Sequence, residues 1–169
     1  DITPPDAVAA HLAAARTETP KPGDPRLVHC RTTLIATPAQ SIAAAAKVAV
    51  AAGYAVELLG DDLEGEARIL GAQHGELALN LARTGGRAVA LLSGGETTVT
   101  VRGQGRGGRN VEYLAGLAIA LGGSPGISAM AGDTDGIDGT EDNAGAFVLP
   151  DSLARAAAAG LDPGAMLNN

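Results

Sequence analysis

The sequence predicts an α/β protein with three layers, helices covering both faces of a mostly parallel or mixed sheet. Three observations carry this reading. Apolar runs of strand length alternate with helix-length segments along the whole chain. Several helix-length segments open at or near a proline and close at a glycine, the asymmetry that helix termini favour. The third is the make-up of the core. The chain is 46% hydrophobic but only 2% aromatic, with Tyr54, Tyr113 and Phe147 as its only rings of that kind. A core of Ala, Val, Leu and Ile suits close packing of helices on a sheet better than a sandwich of thin strands.

Residues 5–16 (PDAVAAHLAAAR) predict a short helix with Pro5 in its first turn. The stretch 17–25 (TETPKPGDP) reads as a linker, since its prolines cannot continue a ladder. Residues 26–36 (RLVHCRTTLIA) predict a strand, and Thr37-Pro38 opens an Ala-rich helix that closes at Gly53. With YAVELLG (54–60) as the next strand, residues 27–59 form an expected βαβ unit. Residues 65–86 place Ala67, Leu70, His74, Leu77, Ala78 and Leu81 at helical spacing. Then follow an apolar strand ending in a turn (87–95), an alternating strand TTVTVRG (97–103) and a helix (110–123). A buried strand (126–132), a strand (144–149) and a helix (150–160) complete the series, and LDPGAMLNN begins a further helical turn. The expected division is 1–25, a helix and linker forming the tail of a preceding domain, and 26–169, an α/β domain truncated at its C-terminus.

Function is sought in three loops that each follow an expected strand, because open α/β sheets bind ligands at the carboxyl ends of their strands. They are SGGE (93–96), RGQGRGGRN (102–110) and AGDTDGIDGTEDN (131–143). The second gathers Arg102, Arg106 and Arg109 among Gly103, Gly105, Gly107 and Gly108, in a chain whose formal net charge is −7. Free backbone N–H groups, a helix N-terminus and planar guanidinium forks recognise carboxylate and phosphate oxygens. The alternative is a solvated loop whose arginines pair with surface carboxylates. Residues 103–108 also match G-x-G-x-x-G, with Asp133 near the place of a ribose-binding acid, but the polar alternation of TTVTVR does not fit a first dinucleotide-binding strand. The third loop carries Asp133, Asp135, Asp138, Glu141 and Asp142. It fails the EF-hand pattern, leaving two readings: a Mg²⁺ site shared with substrate phosphates, or a run of Asx-turns. Glu96 reads either as a partner for an arginine or as an exposed edge charge.

The acidic balance argues against nucleic-acid binding, and no apolar stretch reaches the length of a membrane span. Cys30 is alone, which suits a reducing, cytoplasmic setting, and it is expected in the core rather than as a nucleophile. His11, His29 and His74 fall outside the three loops, and His74 is expected as a satisfied boundary residue.

The stretches SGGETTVTVRGQGRGGRNVEYLAGLAIAL, TDGIDGTEDNAGAFV and AGLDPGAMLNN together resemble the MOFRL family, the C-terminal half of type II glycerate 2-kinases. Bacterial members also bear the name hydroxypyruvate reductase. KPGDP (21–25) and GEAR (65–68) extend the likeness over nearly the whole chain. The resemblance implies ATP-dependent phosphorylation of D-glycerate to 2-phosphoglycerate with Mg²⁺, in a cleft shared with an N-terminal nucleotide-type domain. It implies that Arg109 is the cleft arginine, acting with Asp135. Ser93, Gly94, Gly95, Glu96, Arg102, Gly103, Gly105, Arg106, Gly107, Gly108, Asn110, Asp133 and Thr134 are implied as substrate or phosphate contacts, and Asp135 and Asp138 as metal ligands. Val111 stands where the family has Gln. The chain breaks off at Asn169 within what resembles an Asn-Asp-Ser motif, so a fragment of a two-domain protein is expected, inactive by itself. Its expected partners are glycerate, the nucleotide-type domain and a second copy of the chain. Two other readings stay open: an NAD(P)H-dependent hydroxypyruvate reductase and a non-catalytic anion-binding or interaction domain.

Overall fold

A computed structural model describes residues 3–16 and 18–168. Thr17, the first residue of the expected linker, and the terminal Asp1, Ile2 and Asn169 lie outside the described residues. The chain divides into two compact units, Asp1–Ile35 and Ala36–Asn169.

In the first unit, helix α1 (Asp6–Ala14) begins directly after Pro5, whose carbonyl accepts the Val8 and Ala9 N–H groups at 2.9 and 3.0 Å. The expected strand 26–36 is not formed. Pro25–Leu27 winds into a 3-10 turn instead, because the Asp24 carboxylate accepts the Arg26 N–H at 2.8 Å and Pro25 presets the backbone. Residues 28–36 find no ladder partner among the described residues, so the βαβ unit expected over 27–59 is absent. Cys30, expected in a core, is exposed.

The second unit opens with α2 (Pro38–Ala51), started at Thr37-Pro38 as expected, and the cap is a full capping box: Thr37 Oγ1 accepts from the Gln40 N–H at 3.3 Å and Gln40 Oε1 from the Thr37 N–H at 3.0 Å. Strand β1 (Ala55–Glu66), helix α3 (Ala67–Thr84) and strand β2 (Val89–Thr98) then make a βαβ unit with β1 and β2 parallel. The turn expected at SGG and the separate strand 97–103 do not exist. β2 runs through the glycines because the second half of β1 stays paired with it, Leu63 with Gly95 and Glu66 with Thr98. Gly95 has φ 151° and lies against the Leu63 backbone, where any Cβ would collide. Residues 99–108 are irregular and lead into α4 (Arg109–Leu121).

α3 and α4 pack at backbone distance. A Cβ on Gly71 would overlap the Tyr113 carbonyl oxygen, and one on Gly116 the Arg68 carbonyl oxygen. The other side of α4 lies on a second, antiparallel pair, β3 (Ala129–Gly132) with β4 (Gly145–Val148). Leu114, Leu117, Ala118, Leu121 and Val148 form the buried core. α5 (Ser152–Ala158) and α6 (Pro163–Met166) follow. The protein is thus α/β with a parallel sheet, its strands divided between two ladders. A cavity of about 630 Å³ has residues 89–95 of β2, Ser128 and residues 129–132 of β3 among its walls, with His74 and Tyr113 from α3 and α4.

Candidate anion-recognition site

The three loops singled out in the sequence meet at one side chain. Arg109, the first residue of α4, reaches Glu96 with Nη1 and Asp133 with Nη2, the latter at 3.0 Å. Glu96 comes from β2, and Asp133 directly follows β3. The loop holding Asp133 is fixed by its own N–H, which donates to the Ala144 carbonyl at 2.6 Å. Glu96 is largely exposed at 75% of its side-chain surface, Asp133 largely covered at 19%, and Arg109 lies between them at 36%. A planar guanidinium paired with two carboxylates, and partly open to solvent, has its orientation fixed before any ligand arrives.

Asp138 has a different place from the one expected. It is fully buried, and its carboxylate serves the N-terminus of α4. Oδ1 accepts from the Asn110 N–H at 3.0 Å and Asn110 Nδ2 at 3.2 Å, and Oδ2 from the Val111 N–H at 2.9 Å. Those are the donors that a local capping side chain would satisfy. The helix itself supplies none, because its N-cap is Gly108, where a Cβ would run into the Asp138 side chain and backbone. With its oxygens taken by three N–H donors, Asp138 does not fit a metal ligand. Asn110 and Val111 also have their N–H groups committed, so the helix N-terminus expected to bind an anion is already satisfied by this protein's own carboxylate.

The other expected residues are spread around this point. Arg106 forms an exposed pair with Glu141, Nε to Oε1 at 2.9 Å, and those hydrogen bonds hold the Glu141 carboxyl below its ordinary range. That is the surface pairing left open as the plain alternative for this loop. Arg102 is exposed at the edge of the irregular stretch, as are Gly105 and Gly107. Asp135 and Thr134 lie exposed in the turn after Asp133, and Asp135 Oδ1 accepts the Ile137 N–H at 3.0 Å as an Asx-turn. Among the described residues no group of three or more His, Cys, Asp or Glu is placed to hold a metal ion. Ser93, Gly94 and Gly95 line the cavity together with Asn110. β2 and β3 do not pair, so no βαβ unit spans 103–108.

Two further groups border the site. His74 Nδ1 and the Tyr113 hydroxyl lie 2.9 Å apart, with the rings edge-on at 5.8 Å between centroids. Burial pushes the Tyr113 phenol up to about 12 and lowers the His74 pKa, so the pair is neutral. His74 is therefore the satisfied boundary residue expected. Arg68 was not singled out alone: its Nε reaches Glu112 at 2.7 Å, and its Nη1 reaches Asn168 at 3.3 Å. Glu66 accepts from the Thr100 hydroxyl at 2.9 Å and from its N–H at 3.2 Å, bonds that lower its pKa. Their only signal in the sequence was the GEAR tetrad. Among the described residues no helix is long and apolar enough to cross a membrane.

Residues 89–169 match the model of the MOFRL family. An Agrobacterium vitis protein provisionally named hydroxypyruvate reductase is 52% identical over 157 residues, a match covering 89% of this chain and 35% of that protein. The D-glycerate 2-kinase of Thermotoga maritima is 43% identical over 83 residues, 49% of this chain and 20% of that enzyme. The crystal structure of a Thermotoga maritima glycerate kinase superposes with a TM-score of 0.73 at 34% identity, over 82% of this chain and 34% of that one. The chain thus spans about a third of the length of the relatives it matches over most of its own length.

Proposed function

We propose, from a chain whose residues 89–169 carry MOFRL-family sequence, that the full-length protein is an ATP-dependent glycerate 2-kinase and that Arg109 is the anion receptor of its cleft. The observation that carries this reading is the convergence of three separate segments on one guanidinium: Glu96 from β2, Asp133 from the loop after β3 and Arg109 itself at the start of α4. The similarity to glycerate kinases supports the choice of reaction.

In the proposed reaction the 2-hydroxyl oxygen of D-glycerate forms a bond to the γ-phosphorus of ATP. The bond from that phosphorus to the bridging oxygen breaks, and the hydroxyl proton leaves to solvent or a base. Charge spreads over the transferring group, so positioning and electrostatic stabilisation dominate. Arg109 would hold the glycerate carboxylate or a γ-phosphate oxygen, with Asp133 keeping the guanidinium plane in place. An incoming anion would displace Glu96, the more exposed partner. Mg²⁺ would enter with the nucleotide and neutralise phosphate charge. Asp135, whose side chain is exposed, fits as its single carboxylate or as the group that orients the 2-hydroxyl, whereas Asp138 does not.

The competing reductase reading needs residues 103–108 to be a dinucleotide turn after a buried strand. The segment before them is irregular, and Asp133 is engaged with Arg109. Calorimetric titration of the full-length protein with ATP–Mg²⁺, NADH and D-glycerate separates the two. Binding of ATP–Mg²⁺ and glycerate without NADH is expected, and NADH binding without ATP would overturn the reading.

A further inference from the structure

We propose that Asp138 is a positioning residue for Arg109: it clamps the first turn of α4 from a distant loop and so sets the direction of the guanidinium. The proposal rests on the kinase reading for its kinetic test but not for its chemical one. One loop holds Arg109 at two points. Its start, Asp133, meets the guanidinium at 3.0 Å. Its middle, Asp138, takes the N–H groups of Asn110 and Val111, the two residues after Arg109. Asp138 is itself fixed, since its N–H donates to the Asn143 carbonyl at 2.7 Å and Asn143 Nδ2 reaches the Gly145 carbonyl at 3.2 Å, on β4. The loop can therefore transmit the position of the β3–β4 ladder to the base of Arg109.

The glycines make this clamp possible. At Gly108 a Cβ would occupy the space of Asp138, and at Gly139, with φ 70°, a Cβ would sit 2.6 Å from the Gly107 carbonyl oxygen. The two backbones cross in contact, leaving no room for an ordinary cap on residue 108. A local Ser or Asp cap would satisfy the helix equally well but would leave it free to move relative to the loop. Capping across the crossing joins the two. The burial of Asp138 and its three donors make the joint stiff, because an unpaired carboxylate there would be costly.

The test is a double-mutant cycle in the full-length protein with Asp138→Asn and Arg109→Lys. Asparagine keeps the shape but must turn an N–H₂ toward at least one N–H of the helix, opening the clamp. In the wild-type background Asp138→Asn should lower kcat about a hundredfold, the scale of a misplaced catalytic group, with a smaller change in KM. In the Arg109→Lys background it should cost little, since the group it positions is gone. Equal losses in both backgrounds would make Asp138 a fold residue only and overturn the proposal. Asn110→Ala removes a single donor and leaves both backbone bonds, so it keeps the fold and should show the same coupling at smaller size. A second readout needs no activity. Phenylglyoxal modification of Arg109, followed by mass spectrometry with Arg102 as the internal reference, should accelerate several-fold in Asp138→Asn. An unchanged ratio would overturn the clamp, while a wild type without turnover but with an altered ratio would overturn only the kinase reading.

Discussion

Arg109 touches two carboxylates that differ in one respect, exposure, and that difference assigns them unlike tasks. Glu96 stands in solvent, where an ion pair is weak and easily exchanged, and Asp133 is mostly covered. Glu96→Gln should therefore lower KM for glycerate with kcat nearly kept, since the incoming anion no longer competes with a resident one. Asp133→Asn should lower kcat by loosening the guanidinium. Steady-state kinetics of the two full-length variants check this, and the opposite pattern would reverse the roles. At this scale the sequence singled out Arg109 by a local pattern, a guanidinium among glycines before a helix. It offered Asp138 as a metal ligand, whereas the structure makes it a helix cap. A cap 28 residues away leaves no local spacing to read, and the acidic loop gave the same signal for ligand and cap.

The elements were legible where their signals are local. Thr37 and Pro38 marked the start of α2, and the helical spacing of Leu70, His74 and Leu77 marked α3. Four of the strands were legible too, but their lengths and pairing were not, because a ladder depends on a partner elsewhere in the chain. Residues 26–36 have strand composition but no ladder partner among the described residues, whereas SGGETT continues a strand because DLEGE lies beside it. The α3–α4 contact gives two predictions. Gly71→Ala gains about 1 kcal/mol of helix propensity, but the new methyl meets the Tyr113 carbonyl, a backbone atom that cannot turn aside. Overlap wins, with a net loss of about 3 kcal/mol expected in denaturant melts; an unchanged or raised midpoint would mean that the helices separate freely. Burial lowers the His74 pKa from its ordinary 6.5, so the folded state favours neutral imidazole. That contribution is complete above the unfolded value and is lost as pH falls through the folded one. Melts of wild type and His74→Gln should diverge near neutrality, in favour of wild type, and converge as pH falls below the ordinary imidazole value. A gap that persists at acidic pH would show that packing alone, not charge, governs this residue.

For the molecule as a whole, the α/β class follows from the alternation of segments, and the candidate site depends on three segments that the fold brings together. Their convergence is a tertiary fact that no single motif contains. The central claim is that Arg109 acts as a rigid two-oxygen receptor in phosphoryl transfer to glycerate. The measurement that meets it most directly is ADP formation by the full-length protein with ATP, Mg²⁺ and D-glycerate, wild type beside Arg109→Lys, with a thermal melt of each. Lysine keeps the charge but loses the fork. The account predicts turnover by the wild type and a loss of on the order of a hundredfold or more in both kcat and kcat/KM in the variant, with melting unchanged. Near-normal turnover in Arg109→Lys, or a collapsed melt without a specific kinetic defect, would contradict it.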